Sequence, residues 1–446
     1  MSRSNSVPST PFEAHITDLS HDGRGVARID GKTVFVSGAL LGEQVLAKLR
    51  KRHRHFDEAE VVELITRSPH RVEPRCRHFG QCSGCSLQHL DAPSQIATKQ
   101  RVLAENFERI GKVTPSSWLP PLIGEPWGYR RKGRLSVRNV VKKGRVLVGF
   151  REEENPRFVA DIQQCEVMHP ALGPKVGLLA ELLNGMDAAN DIPQIEFAGG
   201  DDTMALVFRH MQPLSERDLT ALTAFGQQHG LAIYLQPGGN SSVHPLWPEQ
   251  PRLAFRIASG DAHVDDVELE FLPLDFVQVN ADMNQRMMAR TLELLDPQST
   301  DRVLDLFCGL GNFTLPIARR VAEVVGVEGE HGLVERAAQN AARNGIANAH
   351  FHVANLFEDQ RNADWARQPW DKVLLDPPRA GADKVLEYLP HKQTRRIVYV
   401  SCHPASLARD AGILVNQHGF KLKSAGVMDM FPHTSHVESI ALFERD

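Results

Sequence analysis

The run Val303-Leu304-Asp305-Leu306-Phe307-Cys308-Gly309-Leu310-Gly311-Asn312 decides the fold. Its apolar, β-branched start reads as a buried strand. The glycines that follow read as a tight loop whose backbone can come close to a ligand. Further apolar runs at 324–327, 372–375 and 396–400 alternate with helical patterns. This rhythm predicts a doubly wound parallel sheet over 276–446, with ligands held at the carboxyl ends of the strands. Nineteen residues beyond Gly309, Glu328 closes the second strand, where a carboxylate can accept both ribose hydroxyls of a nucleoside cofactor.

A dinucleotide loop would want a third glycine where Thr314 stands, and this loop lies well past the middle of the chain. It resembles instead the adenosylmethionine loop of class I methyltransferases, which needs no pyrophosphate cradle. Two further strand ends carry chemistry. Asp376-Pro377-Pro378-Arg379 directly follows one strand, and two prolines stiffen the turn that presents the carboxylate. Arg379 replaces the aromatic residue that amine methyltransferases place there. Asp376 can instead accept the N3–H of uracil. Cys402 follows another strand, with Pro404 opening a helical stretch; a thiol at a helix N-terminus is expected to have a depressed pKa. An isolated cysteine is more often an inert core residue, and Cys308 is read that way.

Uracil C5 is a poor nucleophile until a thiolate adds at C6 and concentrates electron density on C5. After methyl transfer a base must remove the C5 proton. Phe431-Pro432-His433-Thr434-Ser435-His436-Val437-Glu438 offers Glu438, with His433 and His436 as weaker candidates or orienters. Two histidines and a glutamate could also bind a metal, but no further ligand set accompanies them.

The first ten residues are polar, lack the apolar stretch of a signal peptide, and read as a tail. No segment is apolar and long enough to span a bilayer, so cytoplasm is the default compartment. The net charge of −4 argues neither for nor against nucleic acid, but the cations at 48–55 and 129–134 are dense. Short β-prone runs at 25–29, 32–36, 45–49 and 59–64, separated by turn signals, predict an OB-like barrel over 12–70 that could grip single-stranded nucleic acid, with the first basic run as a ribbon between two strands. Residues 71–275 form a central strand-rich α+β region. Helices are expected at 94–111, with Ile96, Val102, Leu103, Phe107 and Ile110 on one side, and at 174–186 and 214–229. Residues 94–125 are a candidate to lie on the catalytic domain. Cys76, Cys82 and Cys85, with Cys165 further on, supply four thiolates; their spacing alone leaves structural zinc and a [4Fe-4S] cluster open.

In order, Cys-Gly-Leu-Gly-Asn-Phe-Thr (308–314), Asp-Pro-Pro-Arg (376–379), Ser-Cys-His-Pro (401–404) and the 431–438 segment resemble the RNA uracil-C5 methyltransferase family. The resemblance spans the chain, because 12–66 is similar to the RNA-binding TRAM domain. It implies S-adenosyl-L-methionine as methyl donor, Cys402 as nucleophile and Glu438 as base. Gln278, Phe307, Asn312, Glu328, Asn355 and Asp376 would line the cofactor and base pocket. Asn355 departs from the acidic residue more common there. The four cysteines would hold a [4Fe-4S] cluster. TRAM plus cluster implies the branch acting on bacterial 23S ribosomal RNA, working as a monomer. An RNA cytosine-C5 methyltransferase, or an iron–sulfur RNA-binding protein without catalysis, are the alternatives. Finding Asp305, Glu328, Asp376, Cys402 and Glu438 all in place argues against lost catalysis.

Overall fold

A computed structural model describes residues 10–389 and 393–445, so most of the expected tail lies outside the described residues. The first sheet begins with Phe12–His15, which pairs with Gln44–Arg52. That strand pairs with Phe56–Thr66, and Lys32–Ser37, Gly25–Ile29 and Asp18–Leu19 follow in order. Alternation along these strands turns Ala14, Ala27, Val34, Val36, Val45 and Ala47 inward. Most of the first basic run is strand rather than a ribbon between strands. Lys48, Arg50, Lys51 and Arg52 lie exposed on Gln44–Arg52.

Helix α1 (Ala92–Asn106) opens with Asp91, whose side chain accepts from Ser94 N at 2.7 Å, and with Pro93 in its first turn. Its buried face is Gln95, Ile96, Lys99 and Leu103, and it continues into Phe107. Ile110, expected on the apolar side, is exposed. Beyond α1, a six-stranded sheet runs in the order 244–247, 231–236, 204–209, 194–199, 132–140, 145–149. Helices Val176–Asn184 and Glu216–His229 accompany it.

The C-terminal sheet runs Ala349–Val353, Glu323–Glu328, Arg302–Leu306, Lys372–Leu375, Arg396–Ser401, Glu438–Glu444, Lys421–Met428, Ser117–Trp118. The first five strands are parallel. Their inner members are almost continuously apolar because elements cover both faces. The sheet is not parallel throughout: Glu438–Glu444 runs antiparallel to both its neighbours. This closing hairpin had no turn signal of the Asn-Gly kind, since the loop joining it is long. Ser117–Trp118 adds a short parallel edge strand contributed from far up the chain. No helix among the described residues is long and apolar enough to cross a membrane.

The segment after α1 crosses the last helix, Pro404–Asn416, at very close range. A Cβ on Gly111 would lie 2.4 Å from the Ala408 carbonyl oxygen, and one on Gly412 would lie 2.8 Å from that of Gly111. Because backbone rather than a flexible side chain stands in the way, Gly111→Val must part the two segments. It should cost about 1–3 kcal/mol, read as a lower urea midpoint. An unchanged midpoint would mean the crossing is looser than described.

Candidate active site

The glycine loop is built by backbone strain and hydrogen bonds. Phe307 takes φ of 67°, a left-handed conformation that a bulky residue rarely adopts. Phe307 N and Cys308 N both donate to the Val327 carbonyl, at 2.9 and 3.2 Å, which holds the turn over the neighbouring strand. Asp305, fully buried, accepts from the Thr314 hydroxyl at 2.5 Å and so ties strand to helix. Burial pushes this carboxyl up to about 8, and the Thr314 bond opposes the shift. Glu328 accepts from Gly309 N at 3.2 Å through one oxygen, and from Gly329 N at 2.7 Å and Glu330 N at 3.1 Å through the other. Its carboxylate is therefore already locked at the strand end. Asn312 exchanges two amide hydrogen bonds with Asn284, at 3.0 and 3.1 Å.

A cavity of ≈ 590 Å³ opens at the carboxyl ends of these strands. Its walls include Gln278, Phe307, Asn312, Glu328 and Asn355, together with Asp376, Cys402 and Glu438. All eight side chains singled out for cofactor and catalysis thus face one space. Asn355 sits in a local turn, with its Oδ1 accepting from Phe357 N at 3.1 Å and its Nδ2 donating to Glu358 at 2.8 Å. Phe276, Phe357 and Phe431 also line the cavity. Sequence reasoning assigned them no role, although Phe431 lies within a quoted motif, Phe276 two residues before Gln278 and Phe357 two residues past Asn355.

The electrostatics correct one expectation. Cys402 stands before the helix Pro404–Asn416, yet its thiol is pushed up to about 12, by burial first and then by the negative charges of Glu438 and Asp376. Arg379 opposes the shift without cancelling it. Desolvation and two carboxyls outweigh the helix end. Burial also pushes Asp376 up to about 7. Glu438 rises to about 8 through burial and the Asp376 charge, against Lys99 and Arg379. Cys308, also on the cavity wall, is buried, with its thiol turned to the Gly309 carbonyl at 3.7 Å.

A second cavity, of ≈ 470 Å³, is lined by Cys76, Cys82, Cys85 and Cys165. Each of the four is a free thiol in the structure. Cys82 and Cys85 are pushed up to about 12 and about 11, by burial first and with the neighbouring cysteines adding to it. Among the described residues no group of three or more His, Cys, Asp or Glu side chains is drawn together as ligands of a metal ion. His436 lies on the walls of both cavities. His433 does not reach the catalytic cavity as a base: its ring stacks on Trp127 at 3.9 Å, and burial pushes it down to about 4.

A solved structure shows the fold to be that of a class I methyltransferase. The tRNA (uracil-54, C5)-methyltransferase of Pyrococcus abyssi, in complex with S-adenosyl-L-homocysteine, superposes with a TM-score of 0.72 at 23% identity, over 97% of this chain and 100% of that one. The family described as tRNA (Uracil-5-)-methyltransferase matches residues 263–446, and the TRAM domain matches residues 10–62. Curated relatives named 23S rRNA (uracil(1939)-C(5))-methyltransferase RlmD are far more similar. One from Xanthomonas oryzae pv. oryzae is 63% identical over 444 residues, 99% of each chain. Another, from Stenotrophomonas maltophilia, is 61% identical over 449 residues, 100% of each. The chain belongs to this family of 23S rRNA (uracil-C5)-methyltransferases.

Buried carboxyls make stability depend on pH. A carboxyl that holds its proton more tightly folded than unfolded withdraws stability as pH rises between the two values. For Asp376 and Glu438 that interval runs from about 4 in the unfolded chain to about 7 and about 8 in the folded one. The urea midpoint should therefore decline across this range, and less steeply in Glu438→Gln. Equal slopes in the two proteins would place the Glu438 carboxyl in water.

Proposed function

We propose that this protein transfers a methyl group from S-adenosyl-L-methionine to C5 of a uridine in 23S ribosomal RNA, through a covalent bond between Cys402 and C6 of the base. The observation that carries the reading is the convergence of Cys402, Asp376 and Glu438 on the cavity walled by the glycine loop. The residues present fit the donor: a locked carboxylate at Glu328 for ribose hydroxyls, an amide at Asn355 for adenine, and aromatic walls at Phe307 and Phe357. Bound there, the donor supplies an electrophilic methyl group on a sulfonium.

The target base must leave its stack to bring C6 to Cys402 in this cavity. Asp376 orients it by accepting the N3–H. Cys402 gives up its proton to solvent and adds as the thiolate to C6; the electron pair of the C5–C6 bond becomes available at C5, which takes the methyl as the donor's S–CH3 bond breaks and S-adenosyl-L-homocysteine leaves. Glu438 then removes the C5 proton; the double bond re-forms and the thiolate leaves, regenerating the enzyme. Burial serves this last step. A carboxyl whose pKa stands near 8 is a far stronger base than one in water.

The barrel supports RNA binding through the exposed cations of Gln44–Arg52, with phosphate contacts that make affinity salt-dependent. Cys76, Cys82, Cys85 and Cys165, which line one cavity, would hold a [4Fe-4S] cluster as its four thiolate ligands. Four protein thiolates leave no iron open, so its part is structural. Every side chain of this scheme comes from one chain, consistent with a monomer.

Ribosomal RNA substituted with 5-fluorouridine tests the chemistry, because fluorine at C5 cannot leave as a proton. With adenosylmethionine it should trap wild-type protein in a complex stable on a denaturing gel, and Cys402→Ala should form none and transfer no methyl. Transfer that persists in Cys402→Ala would sink the mechanism. Anaerobically purified protein should carry about four irons and as many sulfides, lost when Cys82 and Cys85 are replaced by serine. Stoichiometric zinc instead would replace the cluster with a structural metal.

A further inference from the structure

Glu438 sits at one end of a long hairpin loop. Lys421–Met428 enters it and Glu438–Glu444 leaves it, with Met428 paired to Glu438 across the base. A loop of this length has many conformations, and this one is held in an unfavourable one. His433 takes φ of 66°, left-handed although it is not glycine. The same loop presents Phe431 and His436 to the catalytic cavity.

Two polar side chains of α1 grip it. Gln95 and Lys99, one helical turn apart, are only 3% and 1% exposed. Lys99 donates to Asp429 at 2.6 Å and to the Phe431 carbonyl at 3.0 Å, on the entering side of the loop. Gln95 accepts from His433 N at 2.9 Å, while its amide nitrogen donates to the carbonyls of Leu87 and Leu90 at 3.0 and 2.8 Å. The strained residue is thus tied from both sides, because Ser86 N and Leu87 N donate to its carbonyl at 3.0 and 2.9 Å. Neither α1 side chain lines the catalytic cavity. A helix needing only apolar packing would not bury an amide and an ammonium here, since each loses its hydration and is repaid only by these partners.

We propose that Gln95 and Lys99 are positioning residues for removal of the C5 proton: they fix the loop at 429–437 so that Glu438 meets the methylated, cysteine-bound uracil. This rests on the reading of Glu438 as the base. The C6 adduct and methyl transfer depend on Cys402, which is carried on a different strand end, so loosening the loop slows the step after them. Slowed proton removal leaves RNA on the enzyme, methylated at C5 and still bonded to sulfur.

The test compares full-length wild type with Gln95→Leu and with the double variant Lys99→Met, Asp429→Met, which removes the buried pair without stranding a charge. Unfluorinated rRNA fragment and adenosylmethionine are the substrates. Expected are a kcat lower by about 10- to 100-fold, a KM for RNA within about twofold of wild type, and a covalent, methylated RNA–protein band that wild type does not accumulate. Lys99→Arg, which keeps the charge opposite Asp429, should recover most of the lost kcat. Wild-type kcat in both variants overturns the proposal. So does a loss of activity with an unchanged urea midpoint and no accumulated band, which would mean general damage to the site. Glu438→Gln runs in the same gel: absence of the band there, with the variants showing it or not, would fault the assignment of the base instead.

Discussion

Acidic groups crowd the carboxyl edge of one apolar sheet, and the cost of charging them there governs what the site can do. Asp305, Asp376, Cys402 and Glu438 each hold their protons more tightly than in water, and burial is the leading cause in every case. The Asp376 charge adds to the shifts of Asp305, Cys402 and Glu438, and the Glu438 charge adds to that of Cys402. Asp305 shows the structural use of this constraint: its proton-holding carboxyl pairs with the Thr314 hydroxyl deep inside the sheet. Cys402 and Glu438 show the chemical use. Burial makes the Cys402 thiol hold its proton, and a carboxylate that does form at Glu438 is strongly basic.

The units of the chain are welded around α1. Arg101 donates to the Leu19 carbonyl at 3.1 Å and pairs with Asp18, reaching the barrel. Gln95 reaches the segment that follows the first cysteines, and Lys99 reaches the closing hairpin of the catalytic sheet. Its apolar side, through Leu103 and Phe107, joins the core beneath the catalytic strands. The cysteine cavity and the catalytic cavity are consequently not independent. His436 borders both, and backbone amides just beyond Cys85 hydrogen-bond into the catalytic loop.

Much of this molecule is written locally. The strand and glycine loop at 303–312, the carboxylate at Glu328, and Asp376 and Cys402 at strand ends were legible because a parallel sheet leaves unmistakable apolar runs, and its ligands have only one edge to occupy. Barrel strands were legible from alternation and turn residues. The closing hairpin was not, because its strands pair across a long loop without a two-residue turn. Nor was the pairing of Ser117–Trp118, which depends on a partner some three hundred residues away. Sequence fixed which residues could act, since chemistry resides in side-chain type and in strand-end position. Tertiary structure alone decided their ionisation and support. Cys402 looked like an activated thiol beside a helix, and only burial beside Asp376 and Glu438 reverses that. Nothing in residue type marked Gln95 and Lys99 as buried, and only the loop folded over them makes them so, because burial is a property of what lies opposite and not of the residue itself.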